Sequence, residues 1–229
     1  MIELIAASMG SESLKVVKRW VGTSQPWTSD FLRTVQDRGN ITTVVVLGSA
    51  IRPRGHRRSD LDLLVLYEGQ RPNLHAPIEV DIRLYPVVEI DELIATGHEI
   101  LCWALKFGVI LFDRNQTWFT LLDKWKNWIP LPSETDAHSR GKASLERAKE
   151  MDEVGDESAA SDLVLAAATQ FVREKLIHFK IFPASRPELP NQLRDISPRD
   201  ALADILEDAM FGDDTPADLI ERLHVAGFH

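Results

Sequence analysis

Residues 41–67 read ITTVVVLGSAIRPRGHRRSDLDLLVLY, and the apolar runs at the two ends of this stretch decide the fold. The first run ends at Gly48, a loop with four arginines follows, and the second run continues to Tyr67. Short β-branched or leucine-rich runs bounded by glycine and proline are typical of buried strands. The stretch therefore predicts two strands, at 43–48 and 62–67, joined by a basic loop.

Asp60 and Asp62 lie at the start of the second predicted strand. Because side chains alternate across a strand, both carboxylates should share one face. They would repel each other strongly in a partly desolvated site. Mg²⁺, which takes oxygen ligands and keeps substrate phosphates in its shell, would make the pair tolerable. Ahead of the pair, the turn Gly48-Ser49 is small enough for backbone N–H groups to approach an anion, so the stretch favours phosphoryl or nucleotidyl transfer.

This arrangement resembles the signature of the DNA polymerase β-like nucleotidyltransferase superfamily, with Gly48-Ser49, nine further residues and then Ser59-Asp60-Leu61-Asp62-Leu63. It is most similar to the small members that include aminoglycoside nucleotidyltransferases of the kanamycin type. The resemblance implies a third carboxylate on a following strand, and the segment 78–84 (IEVDIRL) supplies Asp81 there. The loop departs from the family pattern: related members often have glycine four residues after the serine, where this chain has Pro53.

The resemblance implies a reaction with two Mg²⁺ ions, in which a nucleoside monophosphate moves from a nucleoside triphosphate to a hydroxyl acceptor and pyrophosphate leaves. ATP is the favoured triphosphate. Asp60 and Asp62 would hold both metal ions. Asp81 would bind the second metal ion and lie beside the acceptor hydroxyl, acting as a base or through the metal.

The nucleotide site implied by the same resemblance uses the turn and the basic loop. Gly48 and Ser49 would cradle the β- and γ-phosphates, and Ser59 would complete the site beside the carboxylates. Four loop arginines cannot all reach one triphosphate. Arg52 is favoured, because it occupies the basic position three residues after the family's serine.

A proline-spaced break at residues 129–133 (IPLPS) predicts a domain boundary. Residues 1–132 are predicted to form the catalytic domain, and residues 133–229 a helical bundle that binds the acceptor. The fold class is therefore α+β, a small mixed sheet with flanking helices followed by an all-α bundle. The remaining elements expected from periodicity and capping signals are helices at 11–39, 91–106, 118–128, 134–153, 157–181, 199–210 and 216–225, and a strand at 108–113. Ser197-Pro198 and Thr215-Pro216 are the start signals of the last two helices, a Ser or Thr cap with proline in the first turn, and the segment 183–190 (PASRPELP) is too rich in proline to be helical.

The net charge of −9 comes from the predicted bundle. Residues 1–132 carry 15 basic and 15 acidic side chains, whereas residues 133–229 carry 11 and 20. An acidic domain is a poor surface for a nucleic acid and a better one for a cationic acceptor. The bundle also resembles the C-terminal bundle of kanamycin-type nucleotidyltransferases and the related HEPN domains, which implies acceptor binding.

The composition predicts a cytoplasmic protein without a membrane anchor. There is no run of 18 apolar residues, and the N-terminal apolar patch lacks the basic flank of a secretory signal. Cys102 is the single cysteine, which excludes an internal disulfide and a thiolate zinc site. A homodimer is compatible with all of this.

Three alternatives stay open at this point. The first is a protein-modifying, AMPylating enzyme of the antitoxin type, linked to a HEPN unit. The second is RNase activity in the bundle, because Arg173 and His178 have the spacing of the Arg…His pair in ribonuclease-type HEPN domains. The third is a nucleotide-binding module without catalysis, which the three carboxylates disfavour.

Overall fold

The computed structural model of the chain describes residues 27, 30–48, 51–52 and 61–229. The chain divides into two compact units, Met1–Pro130 and Leu131–His229. Each unit has a hydrophobic core of its own. The division lies two residues before the predicted boundary, and the functions assigned to the two parts stay predictions.

The first unit contains a sheet whose four described strands have the order β3-β2-β1-β4. β1 lies antiparallel to β2 and to β4, whereas β2 and β3 are parallel. The sheet is therefore mixed, and the predicted α+β class is confirmed. The strands are β1 (Ile41–Leu47), β2 (Leu61–Tyr67), β3 (Val80–Pro86) and β4 (Val109–Asp113).

The two faces of the sheet carry different side chains. On one face, alternate residues of β2 share a core with the helical segment 30–37; these residues are Leu61, Leu63 and Val65 of the strand and Phe31, Leu32 and Val35 of the helix. On the other face, β2 carries Asp62 and then the fully buried Leu64 and Leu66. Asp62 is therefore the polar end of an otherwise apolar row.

After β3 the chain forms α1 (Val87–Ala95) and α2 (Glu99–Phe107), and after β4 it forms α3 (Thr117–Trp125). The predicted single helix over 91–106 is wrong, because the chain turns between α1 and α2. Gly97 lies in that turn with φ 79°, a left-handed conformation that a continuous helix does not contain. Most of the predicted helix over 11–39 lies outside the described residues; within it, residues 30–37 are helical.

The second unit, residues 131–229, is helical and contains no strand. Its α-helices agree with the predicted ones in number and place except for one additional short helix after the longest. They are α4 (Glu134–Glu153), α5 (Glu157–His178), α6 (Leu189–Ile196), α7 (Ala201–Phe211) and α8 (Pro216–Val225). Of the helices in the described parts of the chain, none is long and apolar enough to cross a membrane.

The additional helix corrects one reading of the sequence. The segment 183–190 was expected to be too rich in proline for helix, but a 3₁₀ turn at Arg186–Glu188 leads directly into α6. Pro190 is tolerated because it lies in the first turn, where a missing N–H leaves no intrahelical bond unmade. The predicted cap at Ser197 is also wrong, since Asp200 caps α7 by accepting a hydrogen bond from Leu202 N at 3.1 Å.

Candidate active site

Asp62 and Asp81 are direct partners in the register between the parallel strands β2 and β3. Side chains of paired residues project to the same face, and neighbouring strands lie about 4.8 Å apart. Asp62 also pairs with Leu47, the last residue of β1, so the two carboxylates stand where β1 ends. Two of the three predicted catalytic carboxylates are thus brought together on one face of the sheet.

Gly48 follows Leu47 and contacts the Asp62 carboxylate. Its φ is 74°, in the left-handed region that favours glycine. A Cβ atom at this position would lie 3.2 Å from Asp62 Cγ and well inside contact distance of Asp62 Oδ2. The Asp62 carboxylate therefore packs directly on the α-carbon of Gly48, and a side chain at residue 48 would displace it.

Arg83 is a site residue that the sequence reasoning did not single out. Its Nη2 lies 2.7 Å from Asp81 Oδ2, and the two side chains are 42% and 50% exposed. Both residues lie on β3, two positions apart, so they share the face that carries the carboxylates. The alternation in IEVDIRL was the signal that could have revealed Arg83.

Tyr85 continues the same row along β3, two residues beyond Arg83. Burial raises the pKa of Tyr85, the positive charge of Arg83 opposes that effect, and the negative charge of Asp81 adds to it. The ring meets His98 edge-on, with 5.4 Å between the ring centroids and an angle of 82°. Tyr85 therefore lies in the same row as Asp81 and Arg83, close enough for both charges to affect its phenol.

Arg52, the predicted phosphate ligand, stacks on an aromatic ring. Its guanidinium carbon lies 4.4 Å from the centroid of Phe107, the last residue of α2. Arginine stacks well on aromatic faces, and a stacked guanidinium can still donate hydrogen bonds because its N–H groups point outward in its own plane. This contact fixes where the guanidinium lies, whereas its contact with phosphate stays a prediction.

Three predicted site residues, Ser49, Ser59 and Asp60, lie outside the described residues. Within residues 27, 30–48, 51–52 and 61–229, no three His, Cys, Asp or Glu side chains are grouped so that they could hold a metal ion. The two described carboxylates nevertheless fit Mg²⁺ in donor type, since they bring oxygen ligands from adjacent strands to one place. Asp60 precedes Asp62 by two residues and would add a third oxygen donor.

Other aspartates of this unit have structural roles. Asp113 Oδ1 accepts hydrogen bonds from Thr43 Oγ1 at 3.0 Å and from Trp118 N at 2.9 Å, which anchors the start of α3 to the sheet. Asp91 binds Lys124 Nζ at 2.5 Å, and this hydrogen bond lowers the pKa of Asp91. Neither residue belongs to the candidate site.

Arg173 and His178, whose spacing suggested RNase activity, both lie on α5 in the second unit. His178 Nδ1 is 3.0 Å from Glu134 Oε1 on α4, and the His178 side chain is 65% exposed. One helical turn from this contact on both helices, His138 Nδ1 of α4 lies 3.1 Å from Glu174 Oε2 of α5. These contacts link α4 to α5, and RNase activity stays an untested alternative.

Comparison with known proteins gives matches among solved structures only. Neither protein-family models nor curated proteins match the chain. Among solved structures, the crystal structure of a nucleotidyltransferase-like protein from Exiguobacterium sibiricum is 15% identical, with a TM-score of 0.41. The match covers 89% of this chain and 71% of that one.

Proposed function

We propose that the chain is a nucleotidyltransferase that moves AMP from ATP to a hydroxyl group of a small acceptor. One observation carries the proposal: Asp62 and Asp81 are register partners on one face of the sheet, with the Asp62 carboxylate against Gly48. Two adjacent carboxylates beside a left-handed glycine suit a site for a divalent cation and a phosphate chain. The family resemblance implies that Asp60 and Ser49 would contribute to the same site.

The proposed reaction is an in-line displacement at the α-phosphorus. The acceptor hydroxyl releases its proton to water, its oxygen forms a bond to this phosphorus, the bond between the phosphorus and the bridging oxygen breaks, and pyrophosphate leaves with that oxygen. Asp60 and Asp62 would hold two Mg²⁺ ions, which supply positive charge that stabilises the attacking and leaving oxygens. Asp81 is the carboxylate on the acceptor side, and Gly48 and Ser49 receive the β- and γ-phosphates through backbone N–H groups.

The proposed acceptor is cationic, such as an aminoglycoside-like amino sugar. The support is the charge of the second unit, in which residues 133–229 carry 20 acidic and 11 basic side chains. The negative electrostatic potential from this excess of carboxylates raises the local concentration of cations and speeds their association with the protein. An uncharged acceptor would gain nothing from it, so the KM for a cationic acceptor should rise with ionic strength while the KM for ATP changes less.

Binding of a nucleotide tests the site without knowledge of the acceptor. Calorimetric titration with Mg²⁺ and a non-hydrolysable ATP analogue should show metal-dependent binding to the wild-type protein. Asp62→Asn should abolish this binding, since it removes a ligand charge while keeping the size of the side chain. Glu68→Gln is the matched control: Glu68 is an exposed carboxylate just after the opposite end of β2, and its loss should leave the affinity unchanged.

Two results would contradict the proposal. One is the absence of any metal-dependent nucleotide binding in a folded wild-type protein. The other is an Asp62→Asn variant that binds the analogue as well as the Glu68→Gln variant does.

A further inference from the structure

Asp81 and Arg83 form an ion pair that stabilises the fold only weakly. The two side chains are about half exposed, and exposed ion pairs add little to the stability of folded proteins. β3 is an edge strand of the described sheet, paired on one side with β2. The main effect of the ion pair is therefore on the orientation of the Asp81 carboxylate and not on the stability of β3.

The contact with Arg83 involves only one of the two oxygens of the Asp81 carboxylate. Arg83 Nη2 binds Oδ2 at 2.7 Å, so this oxygen is held. A carboxylate has about four acceptor sites on its two oxygens, which leaves Oδ1 available for a cation. Since Asp62 is the register partner of Asp81, a cation bound between the strands would approach Asp81 from the side of β2.

We propose that Arg83 is a positioning residue for Asp81: by holding Oδ2, it orients the carboxylate so that Oδ1 serves as the metal ligand opposite Asp62. This inference deepens the proposed nucleotidyl transfer and rests on it. Carboxylates that bind metals commonly accept a hydrogen bond from a second side chain, and loss of that partner typically weakens metal binding about 10- to 100-fold. Arg83 occupies that position for Asp81.

A simple counter-ion would behave in the opposite way. If Arg83 only balanced the charge of the two aspartates, it would compete with a divalent cation for the same carboxylate. Its removal would then strengthen metal binding, because a like charge next to the site is lost. The sign of the change in metal affinity therefore distinguishes a positioning role from competition.

Titration of the protein with Mn²⁺ alone, followed by electron paramagnetic resonance, measures this sign. In Arg83→Gln the Kd for Mn²⁺ should rise about 10- to 100-fold. Arg83→Lys should lie between that variant and the wild type, since lysine keeps the charge but lacks the rigid fork. Arg71→Gln is the matched control: Arg71 is an exposed arginine of the same unit, beside Ile82 and Leu84, which alternate with Asp81 and Arg83 along β3.

A double-mutant cycle shows whether Arg83 acts through Asp81. In an Asp81→Asn background, which also weakens Mn²⁺ binding, Arg83→Gln should have no further effect on the Kd. Unchanged or tighter Mn²⁺ binding in Arg83→Gln, with a folded protein by circular dichroism, overturns the positioning role and leaves the proposed function standing. Absence of Mn²⁺ binding and of metal-dependent nucleotide binding in the wild type overturns both.

Discussion

Replacement of Gly48 with alanine should destabilise the first unit and disturb the candidate site together. The added methyl group meets the Asp62 carboxylate at a distance that no real contact allows, so the carboxylate has to move. The backbone at residue 48 also has φ 74°, which disfavours alanine. Gly69→Ala is a matched control, because Gly69 has φ 66° and a Cβ atom there would meet nothing within 4 Å.

The size of the effect follows from these two contributions. The left-handed conformation alone costs about 1–2 kcal/mol for a residue with a Cβ atom, and this is the whole expected effect of Gly69→Ala. Forcing a methyl group into an occupied place costs about 1–3 kcal/mol more. Gly48→Ala should therefore lower the free energy of unfolding by about 2–5 kcal/mol.

Urea unfolding followed by tryptophan fluorescence measures the difference in the right part of the chain. All six tryptophans precede residue 130, so their emission reports on the first unit. In an Asp62→Ala background the obstructing carboxylate is gone, and Gly48→Ala should then cost only as much as Gly69→Ala. The same variants should be titrated with Mn²⁺: Gly48→Ala should bind it more weakly than the wild type, and Gly69→Ala should not.

Equal losses of stability in Gly48→Ala and Gly69→Ala, each in the otherwise native chain, would refute the contact between Gly48 and Asp62. A Gly48→Ala variant with normal Mn²⁺ affinity would separate the turn from the metal ligands, even if the loss of stability were as large as expected.

Three further predictions concern the remainder of the molecule. Gly141→Ala places a methyl group 2.6 Å from Phe171 Cε1 between α4 and α5. The clash costs about 1–3 kcal/mol and should exceed the gain of about 1 kcal/mol in helix propensity, so the Tm should fall. Adding Phe171→Leu to the Gly141→Ala variant should restore part of the lost Tm. Burial raises the pKa of Cys102 to about 11. A thiol reagent at pH 8 should therefore label this cysteine only after denaturant unfolds the protein. Rapid labelling of the native protein would contradict the buried position. The pKa of His224 is lowered from 6.5 by burial and, to a smaller extent, by the nearby Lys149 and His229. Because the folded state resists protonation of His224, the free energy of unfolding should fall as the pH drops below about 6.5. The same decline in a His224→Gln variant would disprove this.

The strands and the carboxylates could be predicted from the sequence because their signals are local. The runs before Gly48 and after Asp60 are short, apolar and bounded by turn residues, and the structure has strands there. Period-two alternation predicts that Asp60 and Asp62 share one strand face, whereas the position of Asp81 on the next strand is what the family resemblance implies. The cap expected at Thr215 is confirmed, since its hydroxyl accepts a hydrogen bond from Asp218 N at 3.2 Å at the start of α8.

The pairing of the strands could not be read from the sequence in the same way. The register that sets Asp62 opposite Asp81 depends on which strands pair and in which direction, and neither follows from a local pattern. The Asp81–Arg83 contact depends in turn on the side-chain geometry on an edge strand. The helix that begins at Leu189 differs from the expected proline-rich loop because Pro190 lies in the first turn, where proline is compatible with a helix.

Transfer of a labelled phosphate tests the central claim most directly. The protein is incubated with Mg²⁺ and ATP labelled at either the α- or the γ-phosphorus, together with a panel of amino sugars and other small hydroxyl compounds. We expect that α-label alone enters an acceptor, that γ-label leaves as pyrophosphate, and that both events disappear in Asp62→Asn and Asp81→Asn. Transfer of the γ-label to an acceptor, or undiminished transfer of the α-label in Asp62→Asn, would contradict it.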